Sequence, residues 1–314
     1  MVKPPAIFLM GPTASGKTDL ALTIARELPV EIISVDSALV YRGMNIGTAK
    51  PSLAERQQVP HHLIDILEPT EVYSVGQFRE DALLLMAEIT GRNKIPLLVG
   101  GTMLYFNSLQ RGLADLPAAN AAIRHRLDQE AAEHGLMYLH QRLQKVDSES
   151  AARIRHSDPQ RLQRALEIYE LTGTPMSQLI AETNPDLPYQ MINVVLAPFQ
   201  RKILHARIAA RYQQMIANGF LDEVRKLVAR GDCHEKLPSI RAVGYRQAWA
   251  HLHGEYDEVS FIEKAIIATR QMAKRQITWL RAQQDATWFD SGSGLPVSAV
   301  MQYIQQELRA DDKA

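Results

Sequence analysis

Residues 11–18 combine glycine, lysine and hydroxyl side chains at the spacing of a phosphate-binding loop. The apolar run 7–10 before them predicts a buried strand, and a helical pattern follows from Asp19. The N–H groups of such a loop, the helix N-terminus and the Lys17 ammonium attract phosphate oxygens, while the Thr18 hydroxyl reaches Mg²⁺. The segment therefore predicts a site for a di- or triphosphate. Its residues are Gly11, Pro12, Thr13, Ala14, Ser15, Gly16, Lys17 and Thr18.

Two other polar segments follow predicted strands. Asp36 and Ser37 come directly after the apolar run 31–35, and the Gly-Gly-Thr segment 100–102 comes after the run 95–99. Because the carboxyl ends of parallel strands meet at one edge of a sheet, we expect both segments and the phosphate loop around one ligand. The sequence thus predicts a composite site.

The side chains of this predicted site allow more than one chemistry. Asp36 either holds Mg²⁺ through water or accepts a proton from a nucleophile, and its structural alternative is to cap the next segment. Thr102 brings a hydroxyl group close to a ligand, or it belongs to a simple turn. These motifs favour a small-molecule kinase over a motor or switch NTPase. A kinase leaves the basic, helical second half of the chain unexplained.

The composition is that of a globular enzyme. The 314 residues are 46% hydrophobic and 22% charged, and the longest apolar runs have the length of strands, so we expect no membrane span. The first ten residues lack the apolar core of a signal peptide. Cys233 is the only cysteine, which excludes an internal disulfide bond and a cysteine-rich zinc site. We expect a cytoplasmic protein that acts as a monomer.

The charges are balanced overall but unevenly distributed. The chain holds 35 Lys and Arg residues and 35 Asp and Glu residues. The segment 199–246 contains ten basic residues against four acids, and the segment 261–281 contains five against one. A polyanion bound at one place explains this pattern, and a solvated helix face explains it equally well.

Strand and helix patterns alternate through the first hundred residues and predict an α/β fold. This alternation is typical of a P-loop-type parallel sheet flanked by helices. From Phe199 onward the patterns are helical again, up to a polar tail at 308–314. The predicted strands are 7–10, 31–35, 95–99 and 192–197, and the predicted helices of the first part are 17–28 and 77–90.

A helical segment interrupts this pattern between residues 115 and 190. Asp158 is a good N-cap for the last of its long helices, and Gly173 suits the end of that helix. We therefore expect residues 1–114 and 191–314 to form the catalytic core with a basic helical C-terminal part. Residues 115–190 are expected to form an inserted all-helical subdomain. Its predicted helices are 120–134, 135–146, 148–156 and 158–171.

Seven ordered motifs resemble those of the tRNA dimethylallyltransferases over nearly the whole chain. Met103 stands where many members have glycine. The eukaryotic members often carry a C-terminal zinc finger, and this chain has no Cys/His set for one, so it resembles the bacterial form. The motifs are 11–18 (GPTASGKT), 36–51 (beginning DSALVYRGM), 61–65 (HHLID), 99–105 (VGGTMLY), 158–167 (DPQR and RALE), 243–247 (VGYRQ) and 269–281 (TR and AKRQITWLR).

This resemblance implies transfer of a dimethylallyl group from dimethylallyl diphosphate to N6 of the adenine next to the anticodon, in tRNAs that read codons starting with U. The phosphate loop, Lys17 and Mg²⁺ held by Thr18 then stabilise the departing diphosphate. Asp36 suits the task of accepting the N6 proton, and Thr102 steadies the base or the bridging oxygen. Arg211 matches a basic position that the family uses for the diphosphate; a surface role is its alternative.

The resemblance also implies contacts with the anticodon stem-loop of tRNA. The reactive adenine must leave its stack to reach the site. On the helix 264–281, Arg270 shares a face with apolar residues and is expected to point inward and help hold the phosphates. The expected tRNA-binding residues are Asp36, Ser37, Ala38, Leu39, Thr102, Arg124, Gln160, Arg161, Leu162, Gln163, Arg164, Arg241, Ala242, Val243, Gly244, Tyr245, Arg246, Lys274, Arg275, Gln276, Ile277, Thr278, Trp279, Leu280 and Arg281.

Overall fold

The computed structural model describes residues 3–114, 116–182, 187–283 and 285–310. The predicted polar tail beyond residue 310 and residues 183–186 of the predicted insert lie outside these ranges. The strands of the described chain are β1 (Pro5–Met10), β2 (Val30–Val35), β3 (His61–His62), β4 (Ile95–Gly100), β5 (Gln190–Ala197) and β6 (Thr287–Asp290).

The helices of the described chain alternate with the first strands and then follow one another without strands through residues 103–181. They are α1 (Lys17–Glu27), α2 (Leu53–Gln58), α3 (Val75–Gly91), α4 (Met103–Arg111), α5 (Ala121–His134), α6 (Leu136–Val146), α7 (Ser148–Arg153), α8 (Pro159–Thr172), α9 (Met176–Ala181), α10 (Arg201–Ala217), α11 (Phe220–Ala229), α12 (Tyr245–Leu252), α13 (Glu258–Leu280) and α14 (Val297–Ala310).

The strands form one parallel sheet in the order β3-β2-β4-β1-β5-β6. This confirms the predicted sheet, and the four predicted strands are β1, β2, β4 and β5. The expectation of helices alone after Phe199 is wrong, because β6 pairs with β5 at the edge of the sheet. Edge strands this short carry too few residues to show a period of two in the sequence.

Successive side chains of β1 pack against helices on opposite faces of the sheet. Ile7 and Leu9 belong to a buried cluster that includes Leu20 of α1 and Val300 of α14. Phe8 points to the other face, where its ring centroid lies 5.7 Å from that of Phe106 in α4. This alternation explains why β1 reads as a continuous apolar run, since a strand covered by helices on both faces has no polar side.

The helices from α10 to α13 bury a second cluster of apolar side chains. Leu204, Phe220, Tyr245 and Phe261 each come from a different one of these helices. Val40, Tyr41 and Met44, from the segment that follows β2, pack into the same cluster. The basic second half of the chain is therefore anchored on the loop that begins at the end of β2.

The chain divides into two compact units. One contains the described residues up to 107 and from 188 onward, and the other contains the described residues between 108 and 187. In the second unit Leu127, Leu143 and Leu162 bury a small core of their own. Helix α8 of this unit begins at the predicted N-cap, since the Asp158 carboxylate accepts the Arg161 N–H at 3.2 Å.

Candidate active site

The phosphate loop joins β1 to α1, as the sequence predicts. Gly11 lies so close to β5 that a Cβ atom on it would be 2.2 Å from the Leu196 carbonyl oxygen, and Gly16 has a φ of 94°. Both positions therefore require glycine. Because α1 begins directly after Gly16 without a side-chain cap, its first N–H groups remain available to a ligand.

Lys17 and Arg211 line one cavity with this loop. The cavity has a volume of about 790 Å³, and its walls include Lys17 and Arg211. Lys17 Nζ donates to the Pro12 carbonyl oxygen at 2.8 Å, and Arg211 Nη2 donates to the Thr48 carbonyl oxygen at 3.1 Å. In the part of the chain that the structure describes, neither cation forms an ion pair with a carboxylate. The cavity thus presents two cations without an ion-pair partner, and the carboxylate of Asp36 in the same walls offsets only part of their charge.

Desolvation weakens the hold of both cations on their protons. It lowers the pKa of Lys17 to about 8, with Arg211 acting in the same direction and Asp36 opposing it. Desolvation also lowers the pKa of Arg211, and Asp36 again opposes this shift. An anion bound in the cavity would stabilise the charged forms of both side chains.

Asp36 and Thr102 line the same cavity as the two cations. One carboxylate oxygen of Asp36, Oδ1, accepts the N–H groups of Ala38 at 2.8 Å and Leu39 at 3.4 Å, so the predicted capping role is present. The other oxygen, Oδ2, has no hydrogen bond to any described residue and is free for a ligand. Thr102 Oγ1 accepts the Ser37 N–H at 3.1 Å. The structure therefore brings together the ends of β1, β2 and β4.

Gln276 of α13 connects two of these loops. Its Oε1 accepts the Thr13 N–H at 3.0 Å, and its Nε2 donates to the Gly101 carbonyl oxygen at 2.8 Å. A Cβ atom on Gly101 would lie 2.5 Å from that Nε2, so glycine makes room for the amide. The Thr13 N–H, expected at the diphosphate, is thus occupied by Gln276. The sequence placed Gln276 only among RNA contacts, because its partners are distant in the chain.

Arg207 is a further cation of the cavity that was not predicted at the diphosphate. Its Nη2 donates to the Ser291 carbonyl oxygen at 2.5 Å. The spacing of four residues between Arg207 and Arg211 places both side chains on one face of α10. In the sequence, only this four-residue spacing could have indicated that Arg207 lies beside Arg211.

The residues expected to contact RNA differ in exposure. Within the core unit Arg241, Arg246, Lys274, Arg275, Thr278, Trp279 and Arg281 are exposed. Tyr245 and Leu280 are buried, at 1% and 0% exposure, and Tyr245 belongs to the apolar cluster of α10 to α13. In the second unit Gln160 and Arg161 are exposed, whereas Leu162 is buried. The side chains of Leu162, Tyr245 and Leu280 therefore pack beneath the surface and cannot contact RNA directly.

Two arginines expected at RNA are held by a buried carboxylate within the second unit. Glu167 has no exposed surface and accepts Arg124 Nε at 2.9 Å and Arg164 Nη1 at 2.7 Å. It also accepts the Asn120 N–H at 2.7 Å. These contacts hold the pKa of Glu167 below its usual value against the opposing effect of burial. Arg124 and Arg164 therefore have a structural task that Arg161 does not share.

Arg270 lines a second cavity of about 440 Å³, and the cavity of Lys17 does not include it. Arg201, Lys274 and Arg281 line the second cavity with it. The expectation that Arg270 helps to hold the phosphates is therefore corrected. Arg270 faces a cavity, as expected, but not the cavity of the phosphate loop. The residues of α13 that line the cavity of the phosphate loop are Met272 and Gln276.

The described residues contain no group of three His, Cys, Asp or Glu side chains that could hold a metal ion. A metal bound here would therefore take most of its ligands from a substrate or from water. In the same ranges, none of the helices has the length and apolar character needed to cross a membrane.

The fold and the cavity define a P-loop-type α/β protein in which a carboxylate, a hydroxyl and cations without an ion-pair partner surround one phosphate loop. The profile of the IPP transferase family matches residues 39–283. The chain therefore belongs to the IPP transferase family.

Individual relatives agree with this membership. The chain is 56% identical over 291 residues to a tRNA dimethylallyltransferase of Methylococcus capsulatus, covering 92% of this chain and 93% of the relative. It is 54% identical over 300 residues to one of Coxiella burnetii, covering 95% and 96%. The motif resemblance is thus confirmed.

Solved structures are similar over almost the whole chain. The full-length tRNA isopentenylpyrophosphate transferase from Bacillus halodurans is 36% identical with a TM-score of 0.74, covering 99% of both chains. A eukaryotic dimethylallyltransferase acting on tRNA is 26% identical with a TM-score of 0.79, covering 92% of this chain and 74% of that one.

Proposed function

We propose that this protein transfers a dimethylallyl group from dimethylallyl diphosphate to N6 of the adenine next to the anticodon, in tRNAs that read codons starting with U. The observation that carries the proposal is the cavity in which Lys17 and Arg211 lack a carboxylate partner while Asp36 and Thr102 lie in the same walls. The names of the similar proteins agree with it.

The cations and the phosphate loop act on the leaving group. As the C1–O bond of dimethylallyl diphosphate breaks, negative charge grows on the departing diphosphate. Lys17, Arg211 and the N–H groups at the start of α1 stabilise that charge, because they are already oriented and partly withdrawn from water. The same donors bind the diphosphate of the substrate before the reaction and the diphosphate leaving group during it.

Asp36 and Thr102 act on the nucleophile. The N6 nitrogen of adenine forms the new bond to C1, and its surplus proton passes to Oδ2 of Asp36, which has no competing hydrogen bond in the described chain. Oδ1 stays bound to the Ala38 N–H and keeps the carboxylate oriented. Thr102 fixes the Ser37 backbone and thereby the segment that carries Asp36.

Mg²⁺ fits the donor set at the start of α1. Thr18 is an exposed residue there, and its hydroxyl makes no hydrogen bond to a described protein group. Mg²⁺ accepts one or two protein oxygens together with phosphate oxygens and water, so the absence of a carboxylate cluster among the described residues does not exclude it. When bound, Mg²⁺ would neutralise part of the diphosphate charge.

The proposed tRNA contacts of the core unit are the exposed basic residues just before and at the start of α12 and those on and directly after α13. Those of α8 are the proposed contacts of the second unit. Their strongest candidates are Arg161, Arg241, Arg246, Lys274 and Arg281, which are exposed. Arginine and lysine at such positions bind phosphates of the anticodon stem-loop, while the adenine leaves its stack to reach the cavity.

The remaining expectations follow from this proposal. Because the substrate is tRNA, we place the enzyme in the cytoplasm. We also propose that the active enzyme is a monomer.

Transfer of label tests the proposal. The protein is incubated with Mg²⁺, dimethylallyl diphosphate labelled in its carbon chain, and an unmodified anticodon stem-loop whose adenine follows the anticodon. Label should enter this RNA and not a matched RNA with guanine at that position. A parallel reaction with γ-labelled ATP tests the kinase alternative. Transfer of the γ-phosphoryl group without prenylation of RNA would overturn the proposal.

A further inference from the structure

Glu223 of α11 is a buried carboxylate that binds a loop of the active-site cavity. Its Oε2 accepts the N–H groups of Asn45 and Ile46, both at 2.8 Å, and its Oε1 accepts the N–H of Gly47 at 3.1 Å. The side chain is 8% exposed. Three successive N–H groups form a concave site of the kind that binds anions, and here the anion is part of the protein.

An aromatic wall holds the other side of this loop. The Tyr245 hydroxyl donates to Glu223 Oε1 at 2.5 Å. A Cβ atom on Gly47 would lie 2.2 Å from the Phe220 ring and 2.6 Å from the Tyr245 ring, so the loop lies directly on both. Segment 45–47 is therefore fixed by hydrogen bonds to a charge and by contact with rigid rings.

The next residue of the loop reaches the cationic site. The Thr48 carbonyl oxygen accepts Arg211 Nη2 at 3.1 Å, and Gly47, Thr48 and Arg211 all line the cavity of Lys17. Glu223 does not line this cavity. A contact path thus runs from Glu223 through the loop to Arg211.

We propose that Glu223 is a positioning residue that orients Arg211 towards the bound diphosphate through residues 45–48. The inference rests on the proposed function, because it identifies the anion in the cavity as a diphosphate. An amide in place of the carboxylate has only one acceptor oxygen, and its NH₂ group faces N–H donors. The loop must then shift, and the Thr48 carbonyl no longer directs the guanidinium.

A double-mutant cycle tests this path. The variants are Glu223→Gln, Arg211→Gln and the pair, and the affinity for inorganic pyrophosphate with Mg²⁺ is measured by calorimetry. Glu223→Gln should weaken binding roughly tenfold, the size expected when a hydrogen bond of a charged group is lost. In the Arg211→Gln background the same change should weaken binding less than twofold, because its effect passes through Arg211.

Matched variants separate positioning from general stability. Asp222→Asn changes the neighbouring exposed carboxylate, which pairs only with Arg225 in the described chain, and should leave pyrophosphate affinity unchanged. Tyr245→Phe keeps the ring and removes the hydroxyl with its contacts to Glu223 and to the backbone of Gly47 and Thr48, so it should fold even where Glu223→Gln does not. It should raise the KM for dimethylallyl diphosphate while the KM for the RNA stays constant.

The inference fails if Glu223→Gln weakens pyrophosphate binding equally in both backgrounds, or if Tyr245→Phe changes both KM values together. These outcomes differ from a failure of the proposed function. If the wild-type protein binds pyrophosphate but prenylates no RNA, the function is wrong, and the cycle on pyrophosphate still decides the task of Glu223.

Discussion

The Ser37 N–H donates to Oγ1 of Thr102 at 3.1 Å, although the two residues are 65 positions apart. Asp36 precedes Ser37, and its own carboxylate accepts the Ala38 N–H at 2.8 Å. The turn after β2 is therefore held from within by Asp36 and from the end of β4 by Thr102. This arrangement keeps the second carboxylate oxygen of Asp36 in a constant position.

Replacing Thr102 by valine should lower kcat. Valine has nearly the same shape but accepts no hydrogen bond, so the Ser37 N–H loses its partner and the turn loosens. We expect kcat to fall by roughly three- to tenfold, the kinetic equivalent of one hydrogen bond. Thr102→Ser keeps the acceptor and should restore most of the rate in steady-state assays. Equal rates for the valine and serine variants would contradict this assignment.

Asp36→Asn should abolish the proton acceptor while leaving the turn intact. Asparagine keeps an oxygen that accepts the Ala38 N–H, so the backbone should not move. Single-turnover rates should fall by roughly 10²–10⁴-fold, the range for a general base. Affinity for the RNA, measured by filter binding, should change little. An unaltered single-turnover rate would show that another group takes the proton.

The pH dependence of catalysis should report Lys17. Its pKa is lowered to about 8 by burial, so the ammonium is charged below this pH and neutral above it. In the free enzyme, kcat/KM for dimethylallyl diphosphate should therefore fall as the pH rises through about 8. The pyrophosphate affinity of the wild-type protein should decline over the same range, whereas that of Lys17→Arg should not, because the guanidinium stays charged. The same decline in both proteins would exclude Lys17 as its source.

Disrupting the Gln276 contacts should weaken both loops at once. Gln276→Leu removes the acceptor of the Thr13 N–H and the donor to the Gly101 carbonyl. Gly101→Ala should act similarly, because its Cβ would lie 2.5 Å from Gln276 Nε2. Each variant should lower kcat/KM by roughly tenfold, and the double variant should be little worse than either alone. If the losses of kcat/KM multiply in the double variant, Gln276 and Gly101 act independently of each other.

Arg161 and Arg164 should respond differently to neutralisation, although both lie in α8. Arg161 has 69% of its side chain exposed, so Arg161→Gln should weaken RNA binding and reduce the salt slope of log Kd by about one. Arg164 binds the buried Glu167, so Arg164→Gln should destabilise the protein by about 1–3 kcal/mol. Binding at several salt concentrations and thermal unfolding measure the two effects. If the salt slope of log Kd is unchanged in Arg161→Gln, Arg161 does not contact the RNA.

The central strands of the sheet, the phosphate loop and the caps of α8 were predictable because each is encoded by residues that are neighbours in the chain. The strands β1, β2, β4 and β5 are buried on both faces and show as apolar runs. The edge strands β3 and β6 escaped prediction because their short runs acquire strand geometry only by pairing with β2 and β5.

The sequence alone located the phosphate loop, Asp36 and Thr102 at the ends of predicted strands, since residue types and local spacing were enough to find them. It did not fix their chemistry, because the same residues also suit a kinase, and the proposed prenyl transfer came from the resemblance of the motifs to a known family. The tertiary structure decided which other groups serve that chemistry. Gln276 and Glu223 bind loops that are far away from them in the chain, and Tyr245 is buried and not at the surface. The physical reason is that hydrogen bonds and desolvation depend on distance in space, and spacing along the chain specifies distance only within one element.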